Sequence, residues 1–117
     1  DYDYKRSECQ INFKKDIFIF FMNEIIEHSQ KLNQKLVILT FNFKDDSLEN
    51  NWRYSFIKNY LSSKNVTYLD TKEILLKHME KHNLETKNYY SPKDFHLNKL
   101  GNEVIVRELN NIIEQYR

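Results

Sequence analysis

Asp94 and His96 stand two residues apart in the stretch YYSPKDFHLNKLGNEVIVREL, residues 89 to 109. A carboxylate can accept a hydrogen bond from an imidazole Nδ1–H and leave Nε2 free as a base. That is the half of a hydrolytic triad that orients and activates a nucleophile. The chain's one proline, Pro92, and its one glycine, Gly101, flank the pair. Average usage would supply roughly eight glycines and roughly six prolines at this length, so a position that keeps either has a use for it. Pro92 fixes its own backbone angle and pushes Ser91 toward extended geometry. With residues 94 to 96 extended, Asp94 and His96 would project to one side and Phe95 to the other, where it could anchor the loop. Asn98 is placed to cap a following helix. Gly101, in the first turn of that helix, would let another segment approach closely.

The remaining candidates have simpler readings. His78 and His82 are four apart in HMEKH, but a zinc-protease helix needs Glu directly after the first histidine, and Met79 stands there. Met79 belongs to an apolar stripe, which turns both histidines toward solvent. His28 has no catalytic partner in sequence and reads as a surface or boundary residue. Asp70 ends a strand, a position used for binding in parallel sheets, and is also a natural helix cap, the preferred reading. Asp45 and Asp46 read as solvated acids of a polar loop, and Tyr89 and Tyr90 as packing beneath the site loop.

The elements that must position the pair follow from periodicity. Residues 14 to 33 read as a helix with Phe18, Phe21, Met22, Ile25 and Ile26 on one stripe, widened by Ile17, Ile19 and Phe20. LVILTF (36 to 41) reads as a strand buried on both faces, the parallel-sheet type. Trp52, Phe56, Ile57, Tyr60 and Leu61 mark a second helix, and VTYLD (66 to 70) a second strand. A third helix buries Ile74, Leu75, Leu76 and Met79. After a loop over 83 to 97, the last helix runs from about Asn98 to Tyr116, with Leu100, Val104, Ile105, Leu109, Ile112, Ile113 and Tyr116 facing inward. Such alternation predicts an α/β domain, a parallel sheet covered by helices. A sheet of two strands is a poor independent core, so the pattern looks cut off at its start.

Composition removes several function classes. The 18 basic and 17 acidic residues nearly cancel and are dispersed, leaving no electrostatic footprint for nucleic acid or an anionic membrane. Cys9 is the single cysteine, which excludes an internal disulfide and a cysteine-based zinc site. The longest apolar run, IFIFFM at 17 to 22, is too short to span a bilayer and lacks the features of a signal peptide.

DFHLNKLGNEVIVREL resembles the C-terminal block of the SGNH/GDSL hydrolase family, in which a catalytic Asp and His precede an Asn, a Gly and the last helix. KLVILTF and VTYLD, each followed by a helix, resemble the late strands of that flavodoxin-like fold, so the resemblance covers about residues 14 to 116. It implies a three-layer flavodoxin-like α/β domain with parallel strands at about 36–41 and 66–70, of which residues 1–117 are the C-terminal part. It makes Asp94 the orienting carboxylate and His96 the general base toward an ester, an O-acylated small molecule or a carbohydrate, by hydrolysis or acyl transfer. No metal or organic cofactor is implied. Many members space the pair as Asp-x-x-His, and the shorter Asp-x-His form occurs among relatives resembling polysaccharide O-acetyl-transfer proteins. The family's Gly-Asp-Ser nucleophile block and its oxyanion-hole Gly and Asn are not found in residues 1–117. The serine is therefore expected in a preceding N-terminal half or on a partner chain. The competing expectation is a non-catalytic α/β interaction module that keeps the fold and the loop.

Overall fold

The computed structural model describes residues 2–41, 52–94 and 96–117, with side chains from Ser7 onward. Asp45, Asp46 and the expected Phe95 anchor lie outside the described residues. The chain divides into two compact units, 1–36 and 37–117.

The first unit is one long helix, α1 (Tyr2–Lys31). It begins twelve residues before the start expected at position 14, because residues 2 to 13 contain neither Gly nor Pro to interrupt it. It stops at Asn33, whose φ of 51° is left-handed. The Gln34 amide then donates back to the Ser29 carbonyl at 2.8 Å.

The second unit runs β1 (Val37–Thr40), α2 (Trp52–Ser63), β2 (Thr67–Asp70), α3 (Thr71–His82), a 3₁₀ turn (Thr86–Asn88) and α4 (Lys99–Glu114). The α/β character is as expected, and both strands fall within the expected ranges. Among the described residues the sheet has two strands, paired in parallel with Val37 opposite Thr67 and Thr40 opposite Asp70. Residues 37–40 are half-buried rather than enclosed on both faces. Each strand has a single neighbouring strand among the described residues, which leaves one edge of each outside the pairing.

Asparagine ends α1, α2 and α3 in a chain that has almost no glycine. Asn65 after α2 and Asn83 after α3 take φ values of 55° and 51°. The next amides reach back to Leu61 (3.1 Å) and Met79 (3.0 Å), closing the left-handed C-terminal motif. Asp70 caps α3 as expected, accepting the amides of Lys72 at 2.8 Å and Glu73 at 3.3 Å through Oδ1.

The core of this unit is Leu75, Tyr89, Val104 and Ile105, with Leu39, Ile74, Met79, Leu97 and Leu100 packed against it. Leu76 is exposed, contrary to expectation. Successive helix positions are about 100° apart, so Ile74, Leu75 and Leu76 cannot all face one core. Ile113 and Tyr116 are also exposed. They lie on the last turns of the chain, beyond the Leu100–Ile105 segment that meets the core, and the Tyr116 hydroxyl bonds Thr67 Oγ1 instead.

Candidate functional site

The loop that carries Asp94 and His96 is clamped at its base. Glu85 and Asn88 form a capping box around the 3₁₀ turn, with the Glu85 amide donating to Asn88 Oδ1 at 2.8 Å. Tyr90 and Leu97 then face each other across an isolated antiparallel bridge. The Asn98 amide donates to the Tyr89 carbonyl (2.8 Å) and the Ser91 amide to the His96 carbonyl (2.9 Å). Asn98 serves both sides of the junction. Its Oδ1 caps α4 by accepting the Gly101 amide at 3.0 Å, and its Nδ2 donates to the Asn88 carbonyl at 2.7 Å. Gly101 has the close neighbour expected of it, because a Cβ there would lie 2.6 Å from the Tyr89 carbonyl oxygen.

Asp94 and His96 each lie in a bend and not in an extended strand. Asp94 Oδ1 accepts the His96 backbone amide at 3.0 Å. A short acid bonding the amide two residues on is the local geometry that turns a chain. The same oxygen lies 3.3 Å from His96 Nδ1. The structure therefore brings the two residues together, and with the ring proton on Nδ1 the free Nε2 is an acceptor. Both side chains are open to solvent, His96 at 88% and Asp94 at 52% exposure. Neither lines the groove of about 410 Å³ described below. Ser91, the serine of this loop, has its hydroxyl engaged by the Lys93 amide, which donates to it at 3.3 Å. Among the described residues no hydroxyl is hydrogen-bonded to the His96 ring.

The His96 backbone amide, and after it the His96 ring, hold the Asp94 carboxyl below the usual carboxylate range, against a small opposing effect of burial. A depressed carboxyl supports the folded loop above its ordinary pKa and loses that support as pH falls through the depressed value. His96→Ala keeps the backbone amide, the larger cause, and removes the ring. The Asp94 pKa is therefore expected to return only part of the way toward normal, read by carboxyl-carbon NMR titration. A full return to the ordinary value would show that the backbone contact is not holding the carboxylate.

A second group of residues was not legible as a site. His78 is half-buried, not turned to solvent, and its Nδ1 lies 2.8 Å from the Tyr89 hydroxyl. The His78 and His82 rings are 4.2 Å apart. Burial lowers the His78 pKa most, followed by the positive neighbours His82, Arg107 and Lys81. Tyr89 has no exposed surface, as the packing reading of it expected, and its residue position in the loop places the hydroxyl against α3. The spacing of His78 and His82 did signal a shared helix face. Nothing in sequence signalled that Tyr89 and Arg107 of α4 would meet that face.

The carboxyl ends of the strands carry a third polar group. The Tyr68 hydroxyl lies 3.0 Å from both Thr40 Oγ1 and Asp70 Oδ2. Burial, with the nearby Asp70 carboxylate among lesser causes, pushes the Tyr68 phenol up to about 12. Glu73 Oε1 accepts from Lys58 Nζ at 2.7 Å and from the Tyr54 hydroxyl. These groups satisfy one another. Among the described residues no group of three or more His, Cys, Asp or Glu is placed to hold a metal ion, and no helix is long and apolar enough to cross a membrane.

Comparison of the chain with protein-family models, with curated proteins and with solved structures gives no match.

Proposed function

We propose that Asp94 and His96 are the acid–base half of an SGNH-type acyl-transfer site acting on an oxygen ester, with the serine supplied from outside residues 1–117. The observation that carries the reading is the 3.3 Å approach of His96 Nδ1 to Asp94 Oδ1 on a loop clamped at the entrance of α4. In this reading β1 and β2 are the late strands of a three-layer flavodoxin-like sheet. His96 Nε2 takes the proton of the serine as it attacks the ester carbonyl and returns it to the departing alcohol. Asp94 keeps the ring oriented and stabilises the imidazolium that forms. Water as the second acceptor gives hydrolysis of an O-acylated small molecule or carbohydrate, and a sugar hydroxyl gives acyl transfer. No metal or organic cofactor takes part.

A non-catalytic α/β interaction module is the second reading. The observation in its favour is that Asp94 already has a structural task, holding the His96 amide in the turn.

The test is covalent labelling of the full-length gene product by a fluorophosphonate, which reacts with activated serines. Labelling that is abolished by His96→Ala and weakened by Asp94→Asn is expected. A folded full-length protein that takes no label, or whose label survives His96→Ala, overturns the acyl-transfer reading and leaves the interaction module.

A further inference from the structure

A groove of about 410 Å³ runs between α3 and α4, beginning at the end of β2. Leu69, Ile74 and Val104 give it apolar walls. Lys77, His78, Lys81 and His82 line it from α3, and Arg107 lines it from α4. Positions 77, 78, 81 and 82 share a helix face because residues four apart are neighbours there.

Acidic residues also line the groove, but two of the three are engaged elsewhere. Asp70 is 3% exposed, with Oδ1 on the Lys72 and Glu73 amides and Oδ2 on the Tyr68 hydroxyl. Glu73 is paired with Lys58 at 2.7 Å. Among the described residues, no ion pair engages Lys77, Lys81 or Arg107. Lys77, Lys81, Arg107 and the two imidazoles thus offer donors to the groove outside any ion pair, with Glu108 as the carboxylate not engaged elsewhere and Lys77 also near Glu73. Burial lowers the His78 pKa most, and the positive neighbours His82, Arg107 and Lys81 lower it further. His78 itself is held in place by the buried Tyr89 hydroxyl, 2.8 Å from its Nδ1.

We infer that this groove binds a phosphate group, carried by a small organic molecule whose apolar part rests on Leu69, Ile74 and Val104. A phosphate offers several acceptor oxygens and up to two negative charges. Lysine, arginine and imidazole donors arriving from two helices can share those oxygens, with arginine able to take two at once. Lysine and arginine are donors with no lone pair to give a metal, which argues against a metal cation beside them. The near-neutral whole chain, with 18 basic and 17 acidic residues, argues for a local anion site over an extended nucleic-acid surface. This inference is independent of the Asp94–His96 pair, which does not line the groove.

The test is an NMR titration of the 117-residue protein in phosphate-free buffer, at ionic strength held constant with sodium chloride. Inorganic phosphate and phenyl phosphate are the two probes. Saturable shifts of the His78 and His82 ring signals are expected, with binding about tenfold weaker or worse in the Lys81→Ala/Arg107→Ala double variant. Both substituted residues are exposed, and a far-UV spectrum equal to the parent's confirms that the variant folds. Tighter binding of phenyl phosphate identifies a phosphorylated organic ligand, as inferred. Tighter binding of inorganic phosphate keeps the anion site and overturns the role given to the apolar walls. Shifts no larger than chloride produces, or unchanged binding by the folded double variant, overturn the site altogether.

Discussion

Tyr89→Ala is expected to remove about 3–5 kcal/mol of stability, the cost of deleting a buried aromatic ring. Tyr89 has no exposed surface and sits in one cluster with Leu75, Val104 and Ile105. The loop that holds it cannot close the gap easily. Its backbone is fixed on both sides, by the amide bonded to the Thr86 carbonyl at 3.1 Å and the carbonyl bonded to the Asn98 amide at 2.8 Å. A whole domain is stable by only about 5–15 kcal/mol, so the loss would bring residues 37–117 close to unfolding. Tyr89→Phe separates packing from hydrogen bonding. It keeps the ring and loses only the hydroxyl contact to His78, for about 0.5–1.5 kcal/mol. Urea unfolding followed by far-UV circular dichroism reads both variants. If the two cost the same, the hydroxyl rather than the ring is what the core depends on. If Tyr89→Ala costs less than about 1 kcal/mol, well below the range for a buried aromatic, the cluster is not the core of this unit.

Gly101→Ala is the second large effect, and its direction is informative. On helix propensity alone the change should stabilise α4 by about 1 kcal/mol. The new Cβ, however, would lie 2.6 Å from the Tyr89 carbonyl oxygen and 3.0 Å from Leu97 Cδ2. Leu97 can rotate, but the carbonyl oxygen belongs to the backbone and accepts the Asn98 amide at 2.8 Å. Relieving the contact means moving the Tyr89 backbone away from α4. Overpacking of this kind costs about 1–3 kcal/mol and outweighs the propensity gain. A net loss of stability is therefore expected, together with shifted amide resonances at Asn98 and along residues 89 to 91. Gly101→Val, with more atoms against the same oxygen, should lose more. A stabilised Gly101→Ala variant with unmoved resonances would mean that the loop and α4 are not in close contact.

The parts of this chain that sequence revealed are those whose physics is local. Asp70 and Asn98 were legible as caps because a short polar side chain reaches only the amides two or three residues ahead. Gly101 was legible because a lone glycine in a first turn has few reasons to be there. The α/β order came from two short apolar runs set between helical stripes. The start of α1 was missed because residues 2 to 13 have a weak apolar period, yet nothing in them stops a helix. The helix ends were not read from Asn33, Asn65 and Asn83, although asparagine is the usual substitute when glycine is scarce.

Asp94 and His96 show the boundary most clearly. Their adjacency followed from spacing, and the structure places them 3.3 Å apart. Their turned geometry did not follow, because the Asp94 carboxylate captures the His96 amide before it can serve the ring alone. His78 was misjudged for a different reason. Its helical neighbours gave no hint that Tyr89, eleven residues later, would lie against it. Sequence by itself determined the element types, the Asp70 and Asn98 caps and the pairing of Asp94 with His96, since each depends on groups within a few residues. Only the tertiary structure decided that the pair is open to solvent, that Tyr89 is the centre of the core, and that the bases of α3 and Arg107 share one groove. Those outcomes depend on which faces pack when residues far apart in the chain are brought together, and burial rewards the total apolar area removed from water rather than any local pattern.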